Sequence, residues 1–435
     1  MTPQTSNSSD PPQIAGDNMT LPFPQEWANA SPDRRAPSAA EVANGWACGG
    51  ADPKLFDWLF NAEQDAINKI ARQIEYAATQ LGMSYAPTDE TILDKVLKTY
   101  KDIISEDRVI NVPGDFDDPA DAMDYLSRFR ISNDATVIVN VAEGVYNIGT
   151  KVISGHPDGL RIKIIGPALP SGMVTEPNFS VTGSGVGNIS TDRLVNAAML
   201  RTRFKAIIES TNGAVDTGTG DLTLENLCCI GLGSNDGIKT SGGHIRGTNV
   251  AVHNYLNGYL VDRGGIIYAP GCTASGCTAS GWNVTNNGTI VASGGVASGN
   301  ADAGFTASIG GTVIADVSTA KGNGGAGSAG YFVSLSGIIQ ARASVSKNNE
   351  GSGYLITNDG FIQARESQSQ NNKVYGYSVF NGGRLNAAES NSGSNTSGDY
   401  RCSNFGAMTI TGYAGSASAS PTANSVGNGN CYIKN

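Results

Sequence analysis

The stretch Gly337–Thr357, "GIIQARASVSKNNEGSGYLIT", is followed two residues later by a near copy, Gly360–Phe380, "GFIQARESQSQNNKVYGYSVF". Each copy opens on glycine, alternates aliphatic and polar residues, as at Ile362 and Ala364, and continues with residues that favour turns. Alternation with a period of two is typical of a β-strand with one buried face. The stretch therefore predicts a short β unit that the chain repeats.

The same unit recurs from Gly243 onward, which predicts a tandem repeat architecture. The unit starts are spaced by 22, 23, 23, 26, 23, 23 and 23 residues, at Gly243, Gly265, Gly288, Gly311, Gly337, Gly360, Gly383 and Gly406. Two residues after each glycine stands an aliphatic residue: Ile245, Ile267, Ile290, Val313, Ile339, Ile362, Leu385 and Met408. An aromatic column follows later in the unit: Tyr259, Trp282, Phe305, Tyr331, Tyr354, Tyr377 and Tyr400. A third column is asparagine: Asn300, Asn323, Asn349, Asn372 and Asn395.

These columns indicate one coil of a β-solenoid per unit. A single coil cannot bury its apolar face, so stacked coils about 4.8 Å apart share one core. We expect the aliphatic column inside and the asparagines in a hydrogen-bonded ladder at a turn. Several glycines per unit exclude a helical repeat. The aromatic column has two interpretations: a stack in the interior or between subunits, or a platform for sugar rings.

The first half of the chain divides differently. Residues 1–51 are rich in Pro, Ser, Asn and Gly, and predict an extended segment without a core of its own. Residues 52–83 predict a helix with a heptad seam whose apolar positions include Phe60, Ile67, Ile70, Ile74 and Leu81. Isoleucine at consecutive seam positions favours a three-stranded coiled coil, and the alternative is an ordinary amphipathic helix. A second helix from Thr88 extends past Ile103, so we assign 52–106 to a helical trimeric stalk.

Residues 107–242 contain a third predicted helix, Asp118–Ile131, followed by strand-like segments such as "VIVNVAEGVYNI" (137–148) and "RIKIIGP" (161–167). We expect this helix to cap the open end of the solenoid, where unpaired strand edges otherwise invite aggregation. The rest of 107–242 predicts irregular first coils. Residues 243–435 then form the regular coils and a C-terminal cap.

Composition narrows the function classes. The net charge of −10 and the pI of about 4.9 argue against nucleic-acid binding. The chain contains no run of about 18 apolar residues, which argues against membrane insertion. The first residues lack a basic region and an apolar region, so we expect no signal peptide and synthesis in a cytosol. Seven cysteines without a C-x-x-C pair, and three histidines, predict no metal or other cofactor. We expect buried thiols, with Cys402 and Cys431 as a candidate disulfide.

The segment "APSAAEVANGWACGGADPKLFDWLFNAEQDAI" (36–67) resembles the N-terminal part of bacteriophage tail fibres and tailspikes. The third helix and the strand-like segments after it are similar to the N-terminal start of the right-handed β-helix of the pectate-lyase-like superfamily in phage tails. The resemblance implies a homotrimer in the virion, assembled in the host cytoplasm, that binds host cell-surface polysaccharide. It also implies that residues 1–60 dock on a baseplate or tail protein, with attachment residues Trp27, Trp46, Phe56 and Trp58.

Tailspikes of this family often cleave polysaccharide with paired carboxylates, about 5–5.5 Å or 6.5–9.5 Å apart. Glu366 and Glu389 occupy the same position of successive units and are weak catalytic candidates. The alternative is a solvated face on which Arg342 and Arg365 offset their charge. Strict alternation points Glu366 inward, so we expect a bend before it.

Residues 168–222 offer the longest loops, and with them the room for a pocket. This region contains the charged residues Glu176, Asp192, Arg193, Arg201, Arg203, Glu209, Asp216 and Asp221. Three functions stay open: a tail fibre that binds glycan without cutting it, a depolymerase tailspike, and a non-viral adhesin. Uniform coils, which leave little space for a groove, favour the first over the second. The lack of a signal peptide disfavours the third.

Overall fold

The computed structural model describes residues 103–169, 189–232, 234–324, 328–411, 423–427 and 430–434. Ile104–Asn435 form one compact unit. Most of the predicted N-terminal segments therefore lie outside the described residues. The attachment and seam predictions that fall there are Trp27, Trp46, Phe56, Trp58, Phe60, Ile67, Ile70, Ile74 and Leu81.

The described residues form a right-handed parallel β-solenoid of about 12 turns. The repeat predicts the solenoid, and the right hand agrees with what the resemblance implies. Most coils contribute one strand to each of three sheets, and each strand pairs in parallel with the equivalent strand of the next coil. Parallel strands in one sheet are joined by right-handed connections because of the strand twist.

The three sheets are named A, B and C. Sheet A contains β2 (Arg108–Val112), β4 (Val137–Val141), β7 (Ile162–Ile165), β10 (Leu222–Glu225), β13 (His244–Thr248), β16 (Ile266–Tyr268), β19 (Thr289–Val291), β22 (Thr312–Ile314), β25 (Ile338–Gln340), β28 (Phe361–Gln363), β31 (Arg384–Asn386), β34 (Ala407–Thr411) and β36 (Asn430–Lys434). Sheet B contains β5 (Gly144–Gly149), β8 (Ala206–Ser210), β11 (Cys228–Ile230), β14 (Ala251–His253), β17 (Thr273–Ser275), β20 (Val296–Ser298), β23 (Thr319–Lys321), β26 (Val345–Lys347), β29 (Gln368–Gln370) and β32 (Asn391–Gly393). Sheet C contains β6 (Ile153–Ser154), β9 (Val215–Asp216), β12 (Ile238–Ser241), β15 (Tyr259–Asp262), β18 (Trp282–Val284), β21 (Phe305–Ala307), β24 (Ala329–Val333), β27 (Ser352–Ile356), β30 (Tyr375–Val379), β33 (Gly398–Ser403) and β35 (Ala423–Gly427).

The entry to the solenoid differs from the sequence prediction at two helix ends. Ile103–Ile104 form strand β1, which pairs with β3 (Arg130–Ile131), so the prediction that the second helix includes Ile103 is wrong. The third helix, α1, spans Pro119–Leu126 and ends five residues before Ile131. Ile104 and Ile131 are buried in the core. The pairing of β1 with β3 satisfies the backbone N–H and C=O groups of these buried residues.

Helix α1 covers the first coil, because it packs on β2, β4 and β6. Asp118 is its N-cap and accepts hydrogen bonds from the backbone N–H groups of Ala120 and Asp121. Met123 and Leu126 are buried in the solenoid core. The Lys151 ammonium lies 2.8 Å from the Asp118 carboxylate, which ties the helix to the coil beneath.

A second helix, α2 (Ile189–Arg203), lies where the sequence predicts irregular coils with long loops, so that prediction is wrong for these residues. Its Leu200, together with Phe204, packs against Cys228, Ile230 and Ala251 on the outer face of sheet B. The helix forms because these outward strand residues are apolar and need a cover. None of the helices in the described residues is long and apolar enough to cross a membrane.

The interior of residues 243–411, called the array, is filled by the predicted columns. The aliphatic column lies in the middle of sheet A in continuous register and is almost fully buried. The aromatic column is buried too, and neighbouring rings stack with centroids 3.9–6.0 Å apart. The Tyr354 and Ser344 hydroxyls are hydrogen-bonded to each other at 2.9 Å, and those of Tyr377 and Ser367 likewise.

The asparagine column forms the predicted ladder. The Asn349 side-chain amide donates to the Asn372 side-chain oxygen at 2.8 Å, and the Asn349 side-chain oxygen accepts from the backbone N–H of Asn323 at 2.9 Å. Equivalent bonds join Asn300 to Asn323 and Asn372 to Asn395. These amides are buried but hydrogen-bonded, so the ladder fixes the same turn in each of the successive coils that carry it, from Asn300 to Asn395.

Candidate functional site

The buried aromatic column cannot serve as a sugar platform. All seven rings are at most 2% exposed, which leaves no face for a ligand. Of the two interpretations of this column, the structure shows the interior stack. The functional surface has to be sought among outward residues.

The two weak catalytic candidates lie on a tight bend between sheets A and B. Glu366 and Glu389 have φ values of 58° and 57°, in the left-handed region, so the chain turns there and both side chains leave the strand alternation. This is the bend that the sequence predicts. The Glu389 carboxylate accepts a hydrogen bond from the Arg365 guanidinium at 3.3 Å. A mostly exposed carboxylate paired with its neighbour is typical of a solvated face.

The irregular region carries a first cleft beside α2, of about 250 Å³, which we call the Glu209 cleft. Its main charged pair is Arg201 and Glu209, whose side chains are 2.6 Å apart. Asn147 and Asn254 line it together with the buried His253. The cationic and anionic groups neutralise each other, so the cleft presents little free charge to a ligand. Of the other charged residues predicted for this region, Glu176 and the side chains of Asp192 and Arg193 lie outside the described residues.

A second cleft, of about 440 Å³, lies on the outer face of sheet A where the irregular coils meet the array. We call it the His244 cleft. It is lined by Leu160, His244, Ile245, Arg246, Ile266 and Tyr268. This volume is within the range of small-ligand sites, about 300–1,000 Å³, and the lining combines apolar, aromatic and polar groups.

Backbone contacts place the cleft residues. Asp221 exchanges backbone hydrogen bonds with His156, which holds the start of β10 beside the preceding coil. Gly159 touches the Asp221 carbonyl so closely that no side chain fits there. This glycine therefore lets the turn Gly159–Arg161 approach and present Leu160 to the cleft. Alternation along β13 turns Ile245 inward and leaves His244 and Arg246 on the surface.

The polar groups of the cleft include a histidine–carboxylate pair. Nδ1 of His244 lies 2.9 Å from an Asp221 carboxylate oxygen, which also accepts from the His244 backbone N–H at 2.8 Å. The carboxylate thus fixes the imidazole orientation. Tyr268 stands opposite Arg246 in the β13–β16 register and is 51% exposed. The exposed ring can stack on a sugar, and the guanidinium and the oriented imidazole beside it can bind the polar groups of that sugar.

Sequence reasoning singled out Asp221 in this cleft but not His244, Arg246 or Tyr268. Their signal was available in the repeat: they occupy the outward positions one and three residues after the unit glycines. In later units these positions hold mostly uncharged residues, such as Thr289, Val291 and Gln340.

The thiols and metal-ligand types offer no second centre in the described residues. Burial raises the pKa of Cys229 and of Cys272 to about 12, which keeps both thiols protonated and unreactive. No group of three or more His, Cys, Asp or Glu side chains in the described parts of the chain could hold a metal ion. The side chain of Cys431 lies outside the described residues, so the Cys402–Cys431 disulfide stays a prediction.

Comparison with known proteins leaves the family open. No protein-family model and no curated protein matches the chain. Among solved structures, the chain is similar to the A-module of the mannuronan C-5 epimerase AlgE6 of Azotobacter vinelandii, with a TM-score of 0.33 and 11% identity. The match covers 73% of this chain and 93% of that one. A likeness this weak carries no argument about activity. The solenoid is established by its own strand pairing, and neither finding supports a phage origin.

Proposed function

We propose that the chain is the subunit of a phage tail fibre or tailspike that adsorbs to host-surface glycan through its solenoid. The observation that carries glycan binding is the His244 cleft, in which an exposed tyrosine lies beside arginine and a histidine–aspartate pair. Sugars are bound by aromatic faces together with planar polar groups, and this cleft offers both. The phage assignment, with docking through residues 1–60, rests on the resemblance of residues 36–67 alone.

The uniform array supports a scaffold role for the rest of the solenoid. Its stacked rings and asparagine ladder stiffen the coils that follow the cleft along the chain. Trimerisation through the seam of residues 60–81 would multiply the number of sites. Three weak sites on one particle bind a repetitive polymer far more tightly than one site.

A depolymerase is the second candidate, and it uses the same cleft. An imidazole oriented by a carboxylate is an arrangement that serves general acid–base catalysis. The two functions differ in what happens to the polymer after binding.

Incubation of the purified protein with host envelope polysaccharide tests both functions. We expect the polymer to be retained on immobilised protein at its original length, with no new reducing ends or unsaturated sugars. Tyr268→Ala should weaken retention about tenfold, the effect of losing about 1.4 kcal/mol. The matched control is Phe405→Ala, which removes an aromatic ring that is 82% exposed on a turn far along the array. Shortened polymer would show depolymerisation in place of adsorption. Polymer that is neither retained nor shortened would exclude both functions.

The oligomeric state has its own measurement. A native mass of three times the 44.9 kDa chain is expected. A monomer in solution would contradict the stalk prediction without affecting the cleft.

A further inference from the structure

We infer that the His244 cleft selects an anionic sugar unit, held by the Arg246 guanidinium while its ring stacks on Tyr268. This inference rests on the proposed glycan adsorption and adds the chemical class of the ligand. It starts from the charges on the outer face of sheet A.

Among the residues that the structure describes, Arg246 has no carboxylate partner. Some arginines of the described residues do meet carboxylates, as Arg130 does with Asp158 and Arg201 with Glu209. No carboxylate of the described residues lies within ion-pair distance of the Arg246 guanidinium or of the Lys163 ammonium. Asp221 beside the cleft is paired with His244, and Glu225, two residues along β10 from Thr223, forms no ion pair with Arg246. The Arg246 guanidinium can therefore meet an anionic ligand, on a chain whose net charge is −10.

The register places these groups in one line. Lys163 pairs with Thr223, Thr223 with Arg246, and Arg246 with Tyr268, on the strands β7, β10, β13 and β16. Since neighbouring strands are about 4.8 Å apart, the Cα atoms of Lys163 and Arg246 are about 10 Å apart, and Tyr268 is one strand beyond. The line runs along the solenoid axis. An extended polysaccharide lying along it meets an aromatic face and then two positive charges.

The groups available favour an anion over a neutral sugar. A guanidinium forms two parallel hydrogen bonds to a carboxylate, and such charge-assisted bonds are about twice as strong as neutral ones. The apolar side chains of Leu160 and Ile266 border the same cleft and reduce the competition from water. Uronate carboxylates and sulfate esters share this chemistry, and the two are separated by the choice of probe.

The test measures binding of three oligosaccharide pools of equal length to the full chain: an oligogalacturonate, a sulfated dextran and the parent neutral dextran. We expect at least one acidic pool to bind more tightly than the neutral pool, and its affinity to fall when salt is raised. Arg246→Met should lower that affinity about tenfold, as expected for a lost charge-assisted hydrogen bond. Lys163→Met is the second variant and should act in the same direction.

Arg384→Met is the matched control. Arg384 also lies on the outer face of sheet A beside an aromatic ring, 6.0 Å from the Phe361 centroid, but it is on the uniform wall outside the cleft. Its replacement should leave affinity unchanged. Thermal unfolding of each variant shows whether the fold is intact.

The outcomes separate this inference from the proposed function. Equal binding of neutral and acidic pools, unchanged binding in Arg246→Met, or no binding of any pool overturns the anionic site. If host cells still adsorb the protein in those cases, glycan adsorption stands without an anionic preference. If the unmodified protein does not adsorb to host cells at all, the proposed function itself is wrong.

Discussion

The array and the irregular coils before it solve the same packing problem in different ways. In the array, every coil buries an aliphatic residue, an aromatic ring and, over most of its length, an asparagine, and an ion pair such as Arg365 with Glu389 is largely exposed. In residues 104–242, the core is aliphatic, two helices cover parts of it, and charged side chains pair across coils, as Arg130 does with Asp158.

The difference shows where a site can form. A uniform coil repeats its outer surface at every rung and leaves a smooth wall. A break in the period allows a turn such as Gly159–Arg161 to rise beside the strands and make a wall of a cleft. Repetition thus gives stiffness, and the junction where it begins gives a site.

The largest effect should come from breaking the ladder of the array. Asn349→Ala removes a fully buried amide and leaves the Asn323 backbone N–H and the Ser346 hydroxyl without this partner. Because buried unsatisfied groups cost about 1–3 kcal/mol each, we expect a loss of roughly 3 kcal/mol in the free energy of unfolding, measured by urea denaturation.

Asn381→Gly is the matched control for the ladder. Asn381 is on an exposed turn with a φ of 52°, a value that glycine adopts without steric cost. Its replacement should therefore change the free energy of unfolding by less than about 0.5 kcal/mol. Equal effects of the two substitutions would mean that the buried ladder is not what holds the coils together.

The array was predictable in detail because each of its side-chain columns repeats in the sequence. A column of identical residues at fixed spacing has one arrangement that buries it, so Ile339, Tyr354 and Asn349 could be placed without a structure. The repeat also indicates the hydrogen-bond partner of two tyrosines, because a serine stands ten residues before Tyr354 and before Tyr377. Glycine stands ten residues before Phe305, which has no hydroxyl to pair.

A smaller effect, and one that depends on pH, is expected in the irregular coils. Asp158 accepts hydrogen bonds from the Arg130 guanidinium and from the Ile131 backbone, and the pairing with Arg130 holds its pKa below the usual value. A lowered folded pKa means that the stabilisation is present above the unfolded pKa of about 3.9 and is lost as pH falls through the folded value.

Asp158→Asn should therefore lower the free energy of unfolding by about 2 kcal/mol at pH 7. The gap from the unmodified protein should shrink below pH 4, in urea denaturation at pH 7, 5 and 3. Asp124→Asn is the control, because Asp124 and its partner Arg128 are both largely exposed. A gap that stays constant with pH would show that the Asp158 charge is not the stabilising feature.

The irregular coils were harder to predict because their order depends on contacts that leave no period. Helix α2 was missed since its partners lie on the outer face of sheet B, although the sequence carries a signal: the run Leu227, Cys228, Cys229 and Ile230 is apolar throughout, without alternation. A strand buried on both faces requires a cover. The cleft was missed for a related reason. His244, Arg246 and Tyr268 belong to two units, and the Asp221 that orients the imidazole belongs to the coil before them.

The smallest effect is expected on the smooth wall. Glu389→Gln removes the partner of Arg365 in a pair whose side chains are 42% and 55% exposed. Exposed ion pairs contribute about 0–1 kcal/mol, so stability should change by less than about 0.5 kcal/mol. Binding of polysaccharide should not change, and Glu366→Gln should behave alike. If polymer cleavage is detected and either substitution abolishes it, the wall is a catalytic surface, and the contrast between a functional junction and an inert array is wrong. If cleavage is detected and both variants keep it, the acid–base groups lie elsewhere, and the Asp221–His244 pair becomes the first place to look.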